Sequence, residues 1–158
     1  HTLTVLDAPF KGTYMDSSYR IPRHPIEPGQ KMPPDPVSTE AWPVKSMITS
    51  PAPNARIKAG TQATVRGRAW VGEGEVERVE VSLDEGKSWQ RATLWRSEGG
   101  KYAWRRFTYD FTPKSPGYTT LIARAWDSAG NVQPAIPAWN PLGYFWNGWH
   151  RVGVVVEA

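Results

Sequence analysis

Few residues of this 158-residue chain are placed to do chemistry by themselves. Its three histidines are His1, His24 and His150, and no two of them are spaced as a metal-binding pair. The chain has no cysteine, which excludes disulfides, thiolate metal ligands and cysteine nucleophiles. It contains neither a glycine-rich phosphate loop nor a G-x-S-x-G nucleophile elbow. The sequence therefore predicts a chain with no catalytic residue and no metal site of its own.

The basic residues suit a small anion better than a nucleic acid. The net charge is +4, but residues 1–60 hold seven Lys/Arg against five Asp/Glu, and residues 61–158 hold twelve against ten. Nucleic-acid binding would favour a basic patch or stripe, and the longest basic run here is Arg105-Arg106. Arg20 and Arg151 could each pair with a carboxylate of the chain or with a small oxyanion.

The chain closes on an aromatic stretch, NPLGYFWNGWHRV, that leads into a valine-rich strand. Trp146 and Trp149 lie in this stretch, where packing and contact with another protein are equally open interpretations. His150 directly precedes the strand and is better explained as a hydrogen-bonded structural histidine than as a ligand.

One local motif, SLDEGKSW, has the Ser-x-Asp-x-Gly-x-x-Trp spacing of an Asp-box hairpin. In such a turn Asp84 accepts hydrogen bonds from backbone amides, Gly86 takes a positive φ, and Trp89 folds back onto the hairpin. Asp-boxes repeat in sialidase propellers, whereas this one is single. The motif therefore predicts a tight hairpin rather than an enzyme.

Residues 44–158 show about seven short runs of alternating apolar and polar residues, separated by turn signals every 8–12 residues. This pattern predicts an all-β fold, an immunoglobulin-like antiparallel β-sandwich with no helix longer than about two turns. With no cysteine, packing alone must hold the two sheets together. Nine tryptophans suggest a core dominated by aromatic and valine side chains. We expect Trp70, Trp89, Trp104 and Trp126 in the core or packed on the sheet surfaces.

Residues 1–43 lack this alternating pattern, and the eight prolines between residues 9 and 43 disfavour helix and strand. The segment also carries apolar side chains, so we expect an extended N-terminal strap lying along a folded surface rather than a disordered tail. No stretch approaches the roughly 20 apolar residues of a membrane span. We therefore expect no membrane partner.

Several separated motifs resemble the dimerisation domain of the molybdenum-cofactor oxidoreductases, the sulfite oxidase family. They occur in the family's order and spacing and cover nearly the whole chain. They are YMDSSYRIPRHPIEPG, VKSMITSP, VRGRAWVGEGEVERVEVSLDEGKSWQRATL, ARAWDSAGNVQP and NPLGYFWNGWHRV.

The resemblance implies that residues 44–158 form an immunoglobulin-like dimerisation domain. Residues 1–43 would then be a connector from a molybdopterin-binding catalytic domain that this chain lacks. A cysteine of that domain holds the metal in the family, so the molybdopterin-molybdenum cofactor belongs to the parent enzyme. The implied partners are this catalytic domain and a second copy of the chain. Similarity to bacterial members implies a periplasmic or other extracytoplasmic location. The expected interface residues are Trp146, Trp149, His150 and Arg151.

The resemblance also places the loop Asn140–Asn147 near the parent's substrate pocket. The substrate-proximal residues it implies are Asn140, Leu142, Tyr144, Asn147 and Arg20. In the sulfite oxidases of the family an arginine stands two residues after the asparagine and helps to hold the oxyanion, whereas this chain has Leu142. The family as a whole implies sulfite or a related small oxyanion or oxide as the parent's substrate, and Leu142 disfavours sulfite itself.

A function from another class stays open on the residues alone. A tryptophan-rich β-sandwich without an active site could be a carbohydrate-binding module that stacks sugars on exposed rings. Such a module would expose two or three coplanar tryptophans on one face. A dimerisation domain would instead cover its apolar face with a copy of itself.

Overall fold

The computed structural model describes residues 2–97, 99–100 and 102–158, which fall into two compact units. The first unit comprises the chain up to Glu40 together with Ala138–Trp146. The second comprises Ala41–Pro137 and Asn147–Ala158. In the described part of the chain, no helix has the length and apolar character needed to cross a bilayer.

The first unit contains little regular structure. It has one short helix, α1 (Thr13–Ser17), and two short strands, β1 (Arg20–Ile21) and β2 (Val37–Ser38), which pair antiparallel. Prolines remove backbone donors and interrupt both helix and ladder, which accounts for elements of two to five residues. The strap course and the domain boundary after residue 43 stay predictions.

The second unit is a sandwich of two sheets, which confirms the predicted all-β, immunoglobulin-like class. One sheet has the strand order β4-β11-β10-β6-β7, and the other has the order β3-β5-β9-β8. All neighbours pair antiparallel except β4, which runs parallel to β11 along the edge of the first sheet. The strands are β3 (Lys45–Ser50), β4 (Arg56–Lys58), β5 (Ala63–Trp70), β6 (Val76–Ser82), β7 (Gln90–Arg91), β8 (Thr93–Leu94), β9 (Arg105–Phe111), β10 (Gly117–Asp127) and β11 (His150–Glu157).

The predicted alternation of the strands is confirmed. In β5 the side chains of Val65 and Ala69 are buried while Arg66 is exposed, and β11 alternates in the same way. Gly67 occupies another inward position of β5. A Cβ atom there would collide with the ring of Phe107 and the carbonyl of Met47. The structure therefore leaves no room for a side chain at this point.

The predicted core of aromatic and valine side chains is confirmed for valine but not for tryptophan. The core consists of valine, alanine, leucine and isoleucine with two phenylalanines, Phe107 and Phe111, and none of the nine tryptophans is buried. Small β-branched side chains fit between facing sheets about 10 Å apart. An indole is larger and carries an N–H that needs a partner, so the tryptophans lie on sheet surfaces and in loops.

A buried amide joins the two sheets. The side chain of Gln133 is fully buried, and its Oε1 accepts hydrogen bonds from Ser46 N (2.8 Å), Ser46 Oγ (2.7 Å) and Ala125 N (3.1 Å). Its Nε2 donates to Gly148 O at 2.7 Å. Ser46 lies on β3 and Ala125 on β10, so one side chain satisfies backbone groups of both sheets and of the residue before Trp149.

Gln133→Leu should destabilise the chain strongly, because it leaves two buried N–H groups and one buried carbonyl without partners. Each such group costs about 1–3 kcal/mol, so we expect a loss of about 3 kcal/mol or more in the free energy of unfolding. Chemical denaturation measures this loss. The matched control is Gln62→Leu at an exposed position, which should change stability by less than about 0.5 kcal/mol. Similar values for the two variants would contradict the assignment.

His150 is a structural histidine, as its position predicted. Its Nδ1 accepts a hydrogen bond from the backbone N–H of Ile48 at 3.1 Å, which requires Nδ1 to be unprotonated. Burial, and secondly the charge of Lys45, lower the pKa of His150 below its usual 6.5. The unfolded chain therefore binds a proton at His150 more readily than the folded chain does.

Stability should consequently fall as the pH is lowered from 7 to 5. A depressed folded-state pKa contributes stability that is fully present above about pH 6.5, the unfolded value, and is lost as the pH falls through the folded value. In His150→Gln, which retains an acceptor but cannot titrate, the free energy of unfolding should vary less over this range. Denaturant titrations at several pH values test this, and parallel curves for the two proteins would contradict it.

Candidate functional site: the C-terminal loop and its supports

A single asparagine holds the predicted substrate-proximal loop in shape. The Nδ2 of Asn140 donates to the carbonyl of Tyr144 at 2.8 Å, and its Oδ1 accepts from the N–H of Tyr144 at 3.0 Å. Within this loop Gly143 takes φ +69° and Phe145 takes φ +57°. Leu142 lies at the turn, and half of its surface is exposed. The loop is thus a closed turn that leaves the side chain of Leu142 exposed at its tip.

The loop is fixed to the N-terminal segment by aromatic stacking. Tyr144 stacks on Tyr19, with ring centroids 5.3 Å apart and planes inclined by 25°. Tyr14 packs against the same Tyr19 ring at 6.4 Å. Because Tyr19 directly precedes Arg20, the structure brings the loop and the start of β1 into one unit.

Arg20 donates to the backbone rather than to a carboxylate. Its Nε donates to Met15 O at 2.9 Å, and its Nη1 donates to Pro36 O at 3.3 Å. These bonds connect α1 to the residue before β2. The structure thus places Arg20 in the same unit as Asn140, Leu142 and Tyr144, with a structural task of its own.

The remaining predicted residues, apart from Trp146, belong to the second unit. Asn147 Nδ2 donates to Val44 O at 3.2 Å, and Trp149 Nε1 donates to Gln133 O at 2.9 Å. Arg151 is exposed, with its guanidinium carbon 5.4 Å from the centre of the Trp149 ring. Trp146, in the first unit, has 53% of its surface exposed. An interface role for these residues stays a prediction.

The Asp-box hairpin has the predicted geometry. Asp84 Oδ1 accepts from Ser88 N at 2.9 Å and from Ser82 Oγ at 2.7 Å, and Gly86 takes φ +84°. Trp89 Nε1 donates back to Gly86 O at 3.0 Å. Hydrogen bonds from Ser88, and then from Ser82, lower the pKa of Asp84 to about 2. The hairpin therefore fixes the position of the Trp89 ring.

Trp89 connects this hairpin to the start of β11. Its ring packs edge-on against Trp149 at 4.8 Å, and the guanidinium of Arg124 lies over it at 3.9 Å. A Cβ at Gly86 would lie 2.8 Å from the Trp149 ring, so only glycine fits there. The hairpin, β10 and the entry to β11 thus share one packed cluster.

Glu80, which no sequence motif indicated, is the centre of an ion-pair network on the outer face of the same sheet. Its carboxylate accepts from Arg124 Nε at 2.7 Å and from Trp126 Nε1 at 2.9 Å, and it pairs with Arg78 Nε at 3.3 Å. Arg78 also lies over the Trp126 ring at 3.9 Å. Polar residues alternate along both β6 and β10, which indicates an exposed face for each strand. The register that brings Glu80 opposite Arg124 cannot be predicted from one sequence.

Two opposing effects set the pKa of Glu80. Desolvation raises the pKa, while hydrogen bonds from Trp126 and Arg124 and the charges of Arg124 and Arg78 lower it. The lowering effects win, and the pKa lies below its ordinary value. The carboxylate is therefore ionised at neutral pH and holds the two arginines in place.

The residues present do not fit a metal. Within residues 2–97, 99–100 and 102–158, no three His, Cys, Asp or Glu side chains come together in a group that could hold a metal ion. The chain also supplies no thiolate. The donor set that a metal centre needs is therefore not supplied by the described part of this chain.

The chain is similar to a known protein family and to several sulfite oxidases. The family profile described as "Mo-co oxidoreductase dimerisation domain" matches residues 37–157. Sulfite oxidase of Gallus gallus is 38% identical over 115 residues, covering 69% of this chain and 25% of the relative. Mitochondrial sulfite oxidase of Homo sapiens is 38% identical over 127 residues, covering 76% and 23%.

A solved structure of a related protein has a similar fold. The sulfane dehydrogenase SoxCD of Paracoccus pantotrophus superposes with a TM-score of 0.65 at 30% identity, covering 92% of this chain and 38% of that one. The chain spans about a quarter of the length of the curated sulfite oxidases it matches. The family match covers both β2 and the whole sandwich, and so the chain belongs to the dimerisation-domain family of the Mo-co oxidoreductases, related to sulfite oxidase and SoxCD.

Proposed function

We propose that this chain holds two copies of a molybdenum-cofactor oxidoreductase together and supplies a loop at the edge of the enzyme's substrate pocket. The observation that carries the proposal is the family match over residues 37–157. The same match favours dimerisation over a carbohydrate-binding module. In addition, Trp70 and Trp104 stack face to face at 4.6 Å with planes 17° apart, so these two rings do not lie side by side as a sugar platform.

The proposed dimer is two-fold symmetric, with the same surface patch of each copy in contact. Cyclic dimers of this kind are the commonest homo-oligomers, and a stable one buries more than about 1,000 Å² in total. The patch we propose is built around Trp149 and Arg151, where the hairpin cluster keeps the side chains rigid. His150 completes the patch by fixing the start of β11 against β3. Trp146, which belongs to the first unit, is proposed separately as an interface residue.

Sedimentation of the chain should therefore show a dimer at micromolar concentration. Arg151→Glu should weaken the dimer about ten-fold, since it reverses the charge at the proposed contact and removes the guanidinium from the Trp149 ring. Lys114→Glu, at an exposed position outside the patch, is the matched control and should leave the equilibrium unchanged. A strict monomer at high micromolar concentration, or equal effects of the two variants, would contradict the proposed interface.

The partner of the first unit is, in this proposal, the catalytic domain that carries the cofactor. No described residue of the first unit is buried, and several large apolar side chains are exposed. A unit of this kind gains little from its own packing, and exposed apolar surface marks contact with another protein surface. The most exposed of these side chains are Leu3, Val5, Phe10 and Tyr14.

The loop would then present Leu142 where a sulfite oxidase presents an arginine. An arginine holds an oxyanion through two parallel charge-assisted hydrogen bonds, worth about 1.5–3 kcal/mol, and leucine supplies no donor. The parent enzyme should bind sulfite about ten- to a hundred-fold more weakly than a sulfite oxidase, or it should recruit another cation. Arg20 is our candidate for that cation because it shares the unit of the loop.

Leu142→Arg in the full-length enzyme should therefore raise kcat/KM for sulfite by about ten-fold or more. Leu142→Gln, of similar length but without charge, is the control and should give a much smaller gain. Steady-state kinetics with sulfite as the varied substrate provide the measurement. If the unmodified enzyme already oxidises sulfite efficiently and Leu142→Arg changes nothing, the loop does not touch the substrate.

A further inference from the structure

A cavity of about 440 Å³ lies in the second unit, apart from the hairpin cluster. It is formed by the end of β5, the turn into β6, the start of β9, and the described residues Arg96, Ser97, Gly100 and Ala103. Its size falls within the range of small-molecule sites, about 300–1,000 Å³. The lining residues include Trp70, Val76, Glu75, Arg96, Ala103 and Arg105.

Packing and hydrogen bonds fix one side of this cavity. Trp70 is stacked on Trp104, and Val76 is buried with 3% of its surface exposed. Arg105 donates from Nη1 to Val76 O at 2.7 Å and from Nε to Trp95 O at 3.1 Å. These bonds use two of the five donors of its guanidinium and hold the group at the cavity wall.

The cavity also contains a cation without a fixed partner. Arg96 is exposed and makes no hydrogen bond or ion pair with any residue that the structure describes. Glu75 lines the same space, and its backbone is held to Ser128 through bonds of 3.1 and 2.8 Å. With two arginines against one carboxylate, the described charges of the lining favour an anion.

We infer that this cavity binds a small organic anion, with its acidic group on Arg96 and Arg105 and a flat apolar part against Trp70. Guanidinium groups select carboxylates and related oxyanions through paired hydrogen bonds, and an indole face accepts a flat ring. Glu75 weakens the binding of anions with more than one charge. Binding in this cavity requires neither the proposed dimer nor the loop.

The test uses 2-naphthoate as the probe and 2-naphthamide, its neutral counterpart of the same shape. Calorimetry gives affinities, and ¹⁵N-resolved NMR of the chain locates the contacts. We expect naphthoate to bind about ten-fold more tightly than the amide and to shift the Trp70 and Arg105 side-chain signals. Arg96→Gln should weaken naphthoate binding about ten-fold, and Glu75→Gln should strengthen it about two-fold. Arg91→Gln, at an exposed position outside the cavity, should change nothing.

Three results would overturn the inference. The first is equal affinity for the acid and the amide, which would show that the cavity does not recognise the negative charge of the probe. The second is equal affinity of Arg96→Gln and the unmodified chain. The third is a set of shifts centred on Arg78 and Arg124 instead of the cavity. All of these variants lie at exposed positions, and their folded state can be checked by the dispersion of the same NMR spectra.

Discussion

The buried amide of Gln133 is the interaction on which the rest of the sandwich depends. A two-sheet fold without a disulfide has only packing and polar bonds to fix one sheet against the other. Gln133 accepts from strands of both sheets and donates to the residue before the last loop tryptophan. Since an unpaired buried polar group is costly, this set of bonds allows one alignment of the sheets and penalises others.

The same amide residue determines how the last strand begins. Trp149 donates from its indole to Gln133 O and from its backbone to Pro134 O, and His150 then accepts from Ile48 on β3. Because Trp149 is fixed, Trp89 of the hairpin packs edge-on against it. Arg124 of β10 lies over the Trp89 ring. The hairpin motif is thus a support for the C-terminal strand rather than an isolated turn.

Local patterns predicted the parts of this structure that local physics decides. Alternation along β5 and β11 gave the inward faces correctly, and the spacing in SLDEGKSW gave a turn whose hydrogen bonds are those observed. Gln133 could not be found in this way, because a glutamine beside a proline looks like a loop residue until its long-range partners are known. The same reason explains why β4 was not predicted, since its three residues pair with a strand about 100 positions later.

Size and polarity explain why the tryptophans take the sheet-surface alternative rather than the core. Hydrophobicity alone favours the core, but the inward positions of the facing strands hold mainly valine and alanine with two phenylalanines, and Gly67 leaves no room for a side chain. An indole also carries an N–H that needs a partner. The candidate site was predicted from a resemblance. Its members Arg20, Asn140, Leu142 and Tyr144 share one unit, whereas Asn147 belongs to the other. Arg20 and the loop residues up to Trp146 are far apart in sequence but share one unit, in which Tyr19, the neighbour of Arg20, stacks on Tyr144.

The backbone is strained at Tyr19, in this stack, and at Phe145, next to Tyr144. Tyr19 and Phe145 both take positive φ, at +50° and +57°, a conformation that is unfavourable for bulky side chains. Strained residues of this kind cost about 1–3 kcal/mol each and persist only where the surroundings over-determine them. In a unit without a buried residue among those described, the Tyr19–Tyr144 stack and the Asn140 bonds supply part of that constraint. The remaining constraint, in our proposal, comes from the catalytic domain, which makes the geometry around Leu142 a property of the assembled enzyme.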